Sequence, residues 1–537
     1  MASTCAGGCL VGCFVGAGAT FGAARLPKWK KSAAFNAPSA DGFNSPRFPF
    51  SSAGPGWQQY NSPEAQQRKE EAAKKSQLHL STLSSEKADF GKLGPMCLEL
   101  AEDAYISLLT KLIGVSKYLQ NNPRLKITPE EKKACLIVMD ELRPFSQEKG
   151  GPLIVEELEY VKGRPSLKIT YPGSSSKSIS FVGSHFDVVP ADPQDWNVEP
   201  FKLTRDGDKL HGRGTTDSLG HVALITQLMC ELGRTRPKLK NSIIAVFISA
   251  EEGGEVGVGV DMVVKNGKMD SSKNGPVYWV DSADSNPCCG TSGTMSWSLT
   301  ARGRLFHSGF PHKGINSIEL VSDAVAQIQE RFYDDFPPKE EELLYQFAAG
   351  SNMKPTQMEC KKGSLNQICG EATMHGDIRL SPFYDVADVQ QAVEKYVEDM
   401  NNGIDLMPTR GPYSKYQLED DVETQPGELR KAVLELKWSG DIDTFRSYEG
   451  IACSLDSQGH KALVQACRET LGSTKPFSVN GSLPLVRQMQ KAGFDLQLIG
   501  FGLMKVYHGV DEYCTLSGMA NAYQILLRVM ALLETTA

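Results

Sequence analysis

Two short apolar segments with a helical pattern between them constrain the fold of this chain more than any other feature. Residues 178–183 and 242–248 are apolar runs of strand length, which predicts strands buried on both faces. Between them, residues 221–232 have the spacing of apolar residues found in helices, and Gly233 follows as a helix terminator. Buried strands alternating with a helix indicate an α/β fold with a mostly parallel central sheet.

Histidine and acidic residues follow the predicted strands or a glycine-rich turn. They are His185, Asp187, Asp217, Glu251, Glu252, Asp281 and His508. Because ligands of open α/β sheets bind beyond the carboxyl ends of the strands, we expect these side chains to converge. Converging carboxylates repel one another unless cations lie between them, so the pattern predicts a pair of divalent metal ions. Mixed histidine and carboxylate ligands favour zinc, with cobalt or manganese as possible substitutes.

Taken singly, each of these features has a commoner structural explanation. Adjacent glutamates are usually a solvated charge pair, and a histidine in a loop is usually only exposed. The order of the features along the chain, each at the end of a predicted strand, is what favours a metal site.

The same segments resemble the dinuclear zinc metallopeptidase family, which includes acetylornithine deacetylases, succinyl-diaminopimelate desuccinylases, aminoacylases and glutamate carboxypeptidases. The matching segments are 185–190, 212–217, 251–253 and His508, and the resemblance covers residues 95–537. It implies two zinc ions per chain, bridged by Asp217. His185 and Asp281 would complete the ligands of one ion, and Glu252 and His508 those of the other. Glu251 would be the general base, and Asp187 would orient His185.

The chain departs from the common family pattern at two positions. Many members have glutamate where Asp281 stands, which leaves nearby Asp284 as a competing ligand, and many have lysine where this chain has Leu219. Plant-type acetylornithine deacetylases are similar to this chain at 217–221, 305–309, 376–386 and 481–485. Similarity to that branch implies hydrolysis of N2-acetylornithine to ornithine and acetate, a step of arginine biosynthesis.

The resemblance also implies a smaller domain inserted into the catalytic one. We expect a targeting or disordered segment at 1–60, a charged lead-in at 61–94, and a catalytic domain formed by 95–294 and 451–537. An α+β dimerisation (lid) domain would occupy 295–450. Its predicted elements are strands at 295–299 and 371–379, helices at 316–331 and 387–400, and a polar loop region at 410–439.

Several residues outside the metal cluster are expected to bind the substrate. In the family, the insert contributes to a homodimer and brings His307 to the active site of the neighbouring subunit. Arg379 is the candidate for binding the substrate α-carboxylate, because a guanidinium group matches a carboxylate in bidentate geometry. A strand-surface ion pair with Asp377 is the alternative for Arg379. Asn366, Gly481 and Ser482 would line the pocket.

The first 60 residues differ in composition from the rest of the chain. They are rich in small residues, carry basic residues and contain a single acid, Asp41. This composition is typical of organelle-targeting presequences, and residues 32–38 resemble the cleavage region of plastid presequences in some algae. We therefore expect a plastid location, with a disordered tail on a cytoplasmic protein as the alternative. The longest apolar run, Cys9–Ala24, is too short and too rich in glycine to predict a membrane span.

The net charge and the distribution of cysteines bear on the partners of the protein and on the state of its thiols. A net charge of −7 gives no reason to expect a nucleic-acid partner, and the 13 cysteines are scattered, which favours free thiols. A helix start is predicted at 128–131, with Thr128 as the cap and Glu131 completing a capping box.

Two other functions stay open: an aminoacylase or dipeptidase acting on other N-acyl amino acids, and a non-catalytic binding member of the family.

Overall fold

The computed structural model describes most of the chain beyond its first 85 residues. The described residues are 86–122, 125–347, 349–411, 413–438, 448–483 and 486–534, together with isolated positions between 63 and 75. All of them lie in the unit formed by residues 53–537. The predicted targeting segment, 1–60, lies outside the described residues.

The described secondary structure alternates between strands and helices along the chain. The helices are Glu102–Val115, Lys132–Leu142, Leu219–Thr235, Val260–Lys265, Ser317–Asp335, Glu342–Tyr345, Val386–Asn402, Gln458–Leu471, Val486–Lys491 and Leu516–Leu533. The strands are β1 (Ile154–Glu159), β2 (Pro165–Tyr171), β3 (Ser178–His185), β4 (Thr204–Asp206), β5 (Lys209–His211), β6 (Ser242–Ile248), β7 (Pro276–Val280), β8 (Cys288–Thr291), β9 (Gly293–Arg302), β10 (Phe306–His307), β11 (Asn352–Cys360), β12 (Gln367–Ile368), β13 (Glu371–Leu380), β14 (Val433–Trp438), β15 (Ile451–Ala452), β16 (Phe477–Val479), β17 (Asp495–Ile499) and β18 (Tyr513–Thr515).

A nine-stranded sheet forms the centre of the larger part of the fold. Its order is β1-β2-β6-β3-β7-β17-β8-β15, and β16 pairs with β8. The four central strands β6, β3, β7 and β17 run parallel to one another. Pairing is antiparallel towards both edges, apart from the parallel pair β16 and β8. The predicted α/β fold with a mostly parallel centre is therefore confirmed. The parallel strands end together, which brings the residues after β3, β6 and β7 to one edge of the sheet.

The helix Leu516–Leu533 lies in the main hydrophobic core. Apolar residues of this helix pack in one cluster with residues of the helices Leu219–Thr235 and Gln458–Leu471. Among the described residues it is the one helix long and apolar enough to cross a membrane, a property that the sequence analysis overlooked. Because 67% of its apolar stretch is buried inside the protein, it has the burial of a core helix, and its composition is weak evidence for a membrane span.

A second sheet has a hydrophobic core of its own. It is four-stranded, with the order β11-β13-β9-β14 and antiparallel pairing throughout. The helices Ser317–Asp335 and Val386–Asn402 pack against it, as their amphipathic sequences predict. Residues 433–438 form the edge strand β14, so the prediction of a polar loop over all of 410–439 is wrong at its C-terminal end. The domain boundaries at 295 and 450 stay a prediction.

The predicted capping box at 128–131 is wrong. The helix begins at Lys132, and Glu131 precedes it without capping it through its side chain. The Glu131 carboxylate is instead buried and paired with Arg164, because a partner distant in sequence competes successfully with the local capping contact. The expectation of free thiols is confirmed for the ten cysteines that the described residues contain.

Candidate metal centre

Asp217 lies between two histidines and contacts each of them through a different carboxylate oxygen. Its Oδ1 is 2.9 Å from Nε2 of His185, the last residue of β3. Its Oδ2 is 2.6 Å from Nε2 of His508. A carboxylate with one oxygen directed to each side is the arrangement expected of a ligand that bridges two ions.

The other predicted ligands surround this pair of contacts. Glu252 Oε2 lies 3.2 Å from His508 Nε2, and Asp281 Oδ1 lies 3.9 Å from His185 Nε2. Glu251 Oε2 is also close, at 3.8 Å from the same nitrogen of His185. Potential ligand atoms lie within 4.8 Å of one another in two overlapping groups. These groups are His185, Glu251 and Asp281, and His185, Asp217 and Glu252.

The electrostatics of this cluster fit bound cations. Burial, followed by the charge of Asp217, raises the pKa of Glu252 to about 7 and that of Asp281 to about 6. Burial and the neighbouring Asp281 raise the pKa of Glu251 well above its ordinary value. Glu252 Oε1 is buried and has no hydrogen-bond partner. Ionising these buried carboxylates together is unfavourable because their negative charges repel one another. Divalent ions between them would stabilise the ionised forms and would give the unpaired oxygen a partner.

Asp187 contacts both His185 and the segment with the two glutamates. The Nδ1 of His185 lies 2.8 Å from the backbone oxygen of Asp187, and since a carbonyl can only accept, Nδ1 carries the proton. In the neutral ring, the Nε2 of His185 therefore has its lone pair available for a metal ion. The buried Asp187 carboxylate accepts the N–H groups of Glu251 (3.2 Å) and Glu252 (3.0 Å), and a bond from Asn121 (2.9 Å).

Glu512 holds the loop that presents Asp217, a role the sequence analysis did not find. Its buried carboxylate accepts backbone N–H groups from Gly214 (3.1 Å), Thr216 (2.7 Å) and Asp217 (3.0 Å). Arg213 donates to it from Nη1 at 2.5 Å. The sequence showed Glu512 only as a neighbour of His508, and nothing local indicates that it reaches a loop almost 300 residues away.

The two aspartates that compete for one ligand position have different surroundings. Asp281 faces His185 and accepts a hydrogen bond from Tyr507 Oη at 2.8 Å. Asp284 accepts the backbone N–H of Met504 at 3.1 Å and belongs to neither of the two potential ligand groups. The geometry therefore favours Asp281 over Asp284.

A cavity of about 700 Å³ opens next to the cluster. Its walls include Asp217, Glu251, Glu252, Asp281 and His508, together with Arg379, Gly481 and Ser482. Arg379 donates from Nε to Asp377 Oδ2 (2.6 Å) and from Nη1 to the Asn480 carbonyl (3.5 Å). The ion pair with Asp377 therefore exists, and it leaves Arg379 in the wall of the cavity.

His307 and Asn366 lie elsewhere on this chain. Both are exposed, and neither is among the residues that line the described cavity. The two side chains are neighbours, with Asn366 Nδ2 3.4 Å from His307 Nε2. The Nδ1 of His307 accepts the N–H of Gly309 at 3.0 Å, so the neutral ring carries its proton on Nε2.

Comparison with known proteins identifies relatives over most of the chain. Acetylornithine deacetylase of Arabidopsis thaliana is 48% identical over 454 residues, which cover 84% of this chain and 99% of the relative. Acetylornithine deacetylase of Dictyostelium discoideum is 48% identical over 448 residues, covering 81% and 98%. A probable succinyl-diaminopimelate desuccinylase of Staphylococcus aureus is 27% identical and covers 64% of this chain and 79% of the relative. The predicted resemblance is therefore confirmed.

Solved structures share the fold at low sequence identity. Human carnosine dipeptidase 1 aligns with a TM-score of 0.55 at 16% identity, covering 87% of this chain and 98% of that protein. The metallo-carboxypeptidase Sso-CP2 of Sulfolobus solfataricus aligns with a TM-score of 0.56 at 16% identity, covering 80% and 99%. The sequence of residues 181–532 matches the pattern of peptidase family M20/M25/M40. Together with the close relatives, this match establishes that the chain belongs to the peptidase family M20/M25/M40.

Proposed function

We propose that this protein hydrolyses the amide bond of N2-acetylornithine to give ornithine and acetate. The observation that carries the proposal is the arrangement around Asp217, where two histidines and three further carboxylates converge next to one cavity. The relatives that are 48% identical over most of the chain are acetylornithine deacetylases, whereas the desuccinylase relatives reach 25–27%.

Two divalent ions, with zinc as the expected metal, fit the donor set. His185, Asp217 and Asp281 would hold one ion, and Asp217, Glu252 and His508 the other. The unpaired Oε1 of Glu252 and the raised pKa values of Glu252 and Asp281 support these assignments. When bound, such a metal pair supplies Lewis-acid chemistry, lowering the pKa of a water towards about 7 and polarising the amide carbonyl.

Glu251 is proposed as the general base. Its side chain is at the wall of the cavity, 10% exposed, and its backbone N–H is fixed by Asp187. It would accept a proton from the attacking water and deliver it to the departing amine nitrogen, a transfer that typically contributes about 10²–10⁴ in rate. Burial, which raises the pKa of Glu251, would make its conjugate acid better able to hold the proton between these two steps.

Arg379, with Gly481 and Ser482 in the wall of the same cavity, would bind the substrate α-carboxylate. Asp377 supports this role, because its hydrogen bond to Nε fixes the plane of the guanidinium group. Asp377 is itself held by Thr294 Oγ1 at 2.9 Å. Arginine paired in this way loses less freedom when a carboxylate binds.

His307 is proposed to complete the active site of a second subunit in a homodimer. Its exposure, and its distance in sequence from every proposed ligand, support a role outside its own chain. With the proton on Nε2, the neutral ring can donate a hydrogen bond to the oxyanion of the tetrahedral intermediate. Asn366 lies beside that nitrogen, with its Nδ2 3.4 Å away.

A panel of N-acyl amino acids, assayed with zinc and with cobalt, tests the function. We expect the highest kcat/KM for N2-acetylornithine, and lower values for N-acetylmethionine, N-succinyl-diaminopimelate and simple dipeptides. Preparations of the Glu251→Gln variant exclude contaminating hydrolases. Turnover of another N-acyl amino acid or of a dipeptide with higher kcat/KM would favour the aminoacylase or dipeptidase alternative. Metal binding without turnover of any panel member would favour a non-catalytic member.

A further inference from the structure

Buried carboxylates hold three consecutive backbone amides in the segment that carries Glu251 and Glu252. Asp187 accepts the N–H groups of these two residues. Glu131 Oε1 accepts the N–H of Ala250, the residue before them, at 3.2 Å. Glu131 lies 119 residues earlier in the chain and belongs to no motif of the proposed active site.

A buried arginine fixes the Glu131 carboxylate. Arg164 donates from Nε to Oε2 at 3.0 Å and from Nη2 to Oε1 at 2.7 Å, and the two side chains are 5% and 0% exposed. Two such bonds between guanidinium and carboxylate define the geometry of the pair. Arg164 also donates from Nη1 to Glu255 Oε2 at 2.5 Å, and its carbonyl accepts from Ser249 Oγ at 3.2 Å. The pair therefore contacts residues 249, 250 and 255, on both sides of the two glutamates.

The backbone of Ala250 explains why such support is needed. Strand β6 ends at Ile248, and Ala250 has a φ of +59°, in the left-handed region. This conformation is unfavourable for an L-residue with a side chain, because its Cβ crowds the following carbonyl oxygen. Strained backbone persists where the surrounding structure holds it, and here Glu131 holds the N–H of the strained residue itself.

We infer that Glu131 and Arg164 are positioning residues that set the direction in which Glu251 and Glu252 enter the cavity. The inference rests on the proposed function, because it takes Glu251 as the base and Glu252 as a ligand. Neither Glu131 nor Arg164 lines the described cavity, so both act through the backbone of residues 249–255. Since a misplacement of about 1 Å can cost ~10²-fold in rate, their loss should lower kcat more than it changes KM.

Two double variants separate the hydrogen bond to Ala250 from the charge of the pair. The variant Glu131→Gln/Arg164→Met removes both charges but keeps an amide oxygen that can accept the Ala250 N–H. The variant Glu131→Leu/Arg164→Met also removes the acceptor. Replacing a buried ion pair by apolar residues of similar size is often neutral or stabilising, so the Leu/Met protein should fold. Glutamine has nearly the shape of glutamate and can still accept the Ala250 N–H, so the Gln/Met protein should fold as well. We expect the Leu/Met protein to lose ~10–100-fold in kcat and to release one ion more readily to a chelator, and the Gln/Met protein to keep most of its kcat.

The control is an arginine–glutamate pair between two helices of the main core, longer and less buried than the pair of Arg164 and Glu131. Arg528 Nε and Glu469 Oε2 are 3.5 Å apart, and neither residue lines the described cavity. The Arg528→Met/Glu469→Leu protein should keep wild-type kcat and metal content even if it melts at a lower temperature. A folded Leu/Met protein with wild-type kcat, or an equal loss of kcat in both Glu131 double variants, would overturn the inference.

A single variant covers the case in which the Leu/Met protein does not fold. Glu131→Asp keeps the charge beside Arg164 but shortens the reach to Ala250 by one methylene group, and kcat should still fall. An unchanged kcat in folded Glu131→Asp protein would also overturn the inference. Wild-type protein assayed on N2-acetylornithine separates the two failures, because its inactivity would contradict only the proposed function. The kcat ratios would then be measured on whichever N-acyl amino acid the wild type hydrolyses.

Discussion

Glu251 lies close enough to His185 and Asp281 to bind an ion with them, although we propose it as the base. Replacing it with glutamine should abolish turnover and leave the metal content near two ions per chain, because a carboxamide cannot accept the proton. Metal content measured by atomic absorption, alongside the activity, checks this prediction. Loss of an ion from the variant would reassign Glu251 as a ligand.

Glu512 contacts the backbone of the loop that carries Asp217. The hydrogen bonds of its carboxylate all come from donors, so we expect the position of this loop to depend on a carboxylate at residue 512. In Glu512→Gln, an NH₂ group replaces one of the two carboxylate oxygens. In either orientation of the amide, this NH₂ group would face backbone N–H groups that now donate to the oxygen: that of Gly214 at one position, or those of Thr216 and Asp217 at the other. We expect zinc affinity to fall by about 10–100-fold, the usual effect of removing a group that orients a metal ligand. Competition with a chromogenic chelator measures this affinity.

Glu534 provides the matched control for Glu512. Its carboxylate is also buried and also accepts two backbone N–H groups, from Lys240 (2.9 Å) and Asn241 (2.9 Å), but it does not line the described cavity. Glu534→Gln should lower the melting temperature and leave zinc affinity unchanged. An equal loss of zinc affinity in both variants would show that the effect of Glu512 is general destabilisation.

Among the elements, those with a strong periodic pattern were predictable from the sequence. The predicted helices 316–331 and 387–400 correspond to Ser317–Asp335 and Val386–Asn402, because each turns an apolar face to the second sheet. The predicted strands 178–183 and 242–248 correspond to β3 and β6. The edge strand β14 was missed because polar residues precede it and only one of its residues is fully buried.

The convergence of His185, Glu251, Glu252 and Asp281 was also predictable, because these residues lie where parallel strands end. The contacts of Glu131 and Glu512 were not. Both carboxylates bind backbone groups brought near by tertiary folding, and a backbone N–H leaves no trace in the sequence of its partner. For Glu131, the sequence even suggested a plausible local contact, which the buried Arg164 displaces.

Gly376 in strand β13 leaves room for the indole ring of Trp297, its partner in strand β9. A Cβ at this position would lie 2.1 Å from Trp297 Cζ2 and 2.4 Å from the carbonyl oxygen of Lys354. Gly376→Ala should therefore lower the free energy of unfolding by about 1–3 kcal/mol, the usual cost of overpacking. Gly114→Ala is the control, because nothing lies within 4 Å of its added Cβ and alanine favours a helix by about 0.5–1 kcal/mol. Denaturant unfolding checks both, and wild-type stability of Gly376→Ala would contradict the prediction.

For the whole molecule, the N-terminal segment is proposed to direct the protein to a plastid. Residues 1–60 fused to a fluorescent reporter should accumulate in plastids of an algal or plant cell, because the segment is basic and contains a single acid. A fusion in which the arginines and lysines of the segment are replaced by glutamine is the control. A diffuse cytosolic signal from the unaltered fusion would contradict the proposal.

The remaining prediction concerns whether one chain can complete its own active site. If His307 serves the neighbouring subunit, His307→Ala should lose about 2.7–4 kcal/mol of transition-state stabilisation, the usual cost of one oxyanion donor, with metal binding unchanged. Mixing this variant with Glu251→Gln should restore activity, since each heterodimer has one site with both groups intact. Random exchange of subunits would recover about a quarter of wild-type activity, because half of the dimers are mixed. If mass spectrometry detects mixed dimers but no activity is recovered, His307 does not act across the interface.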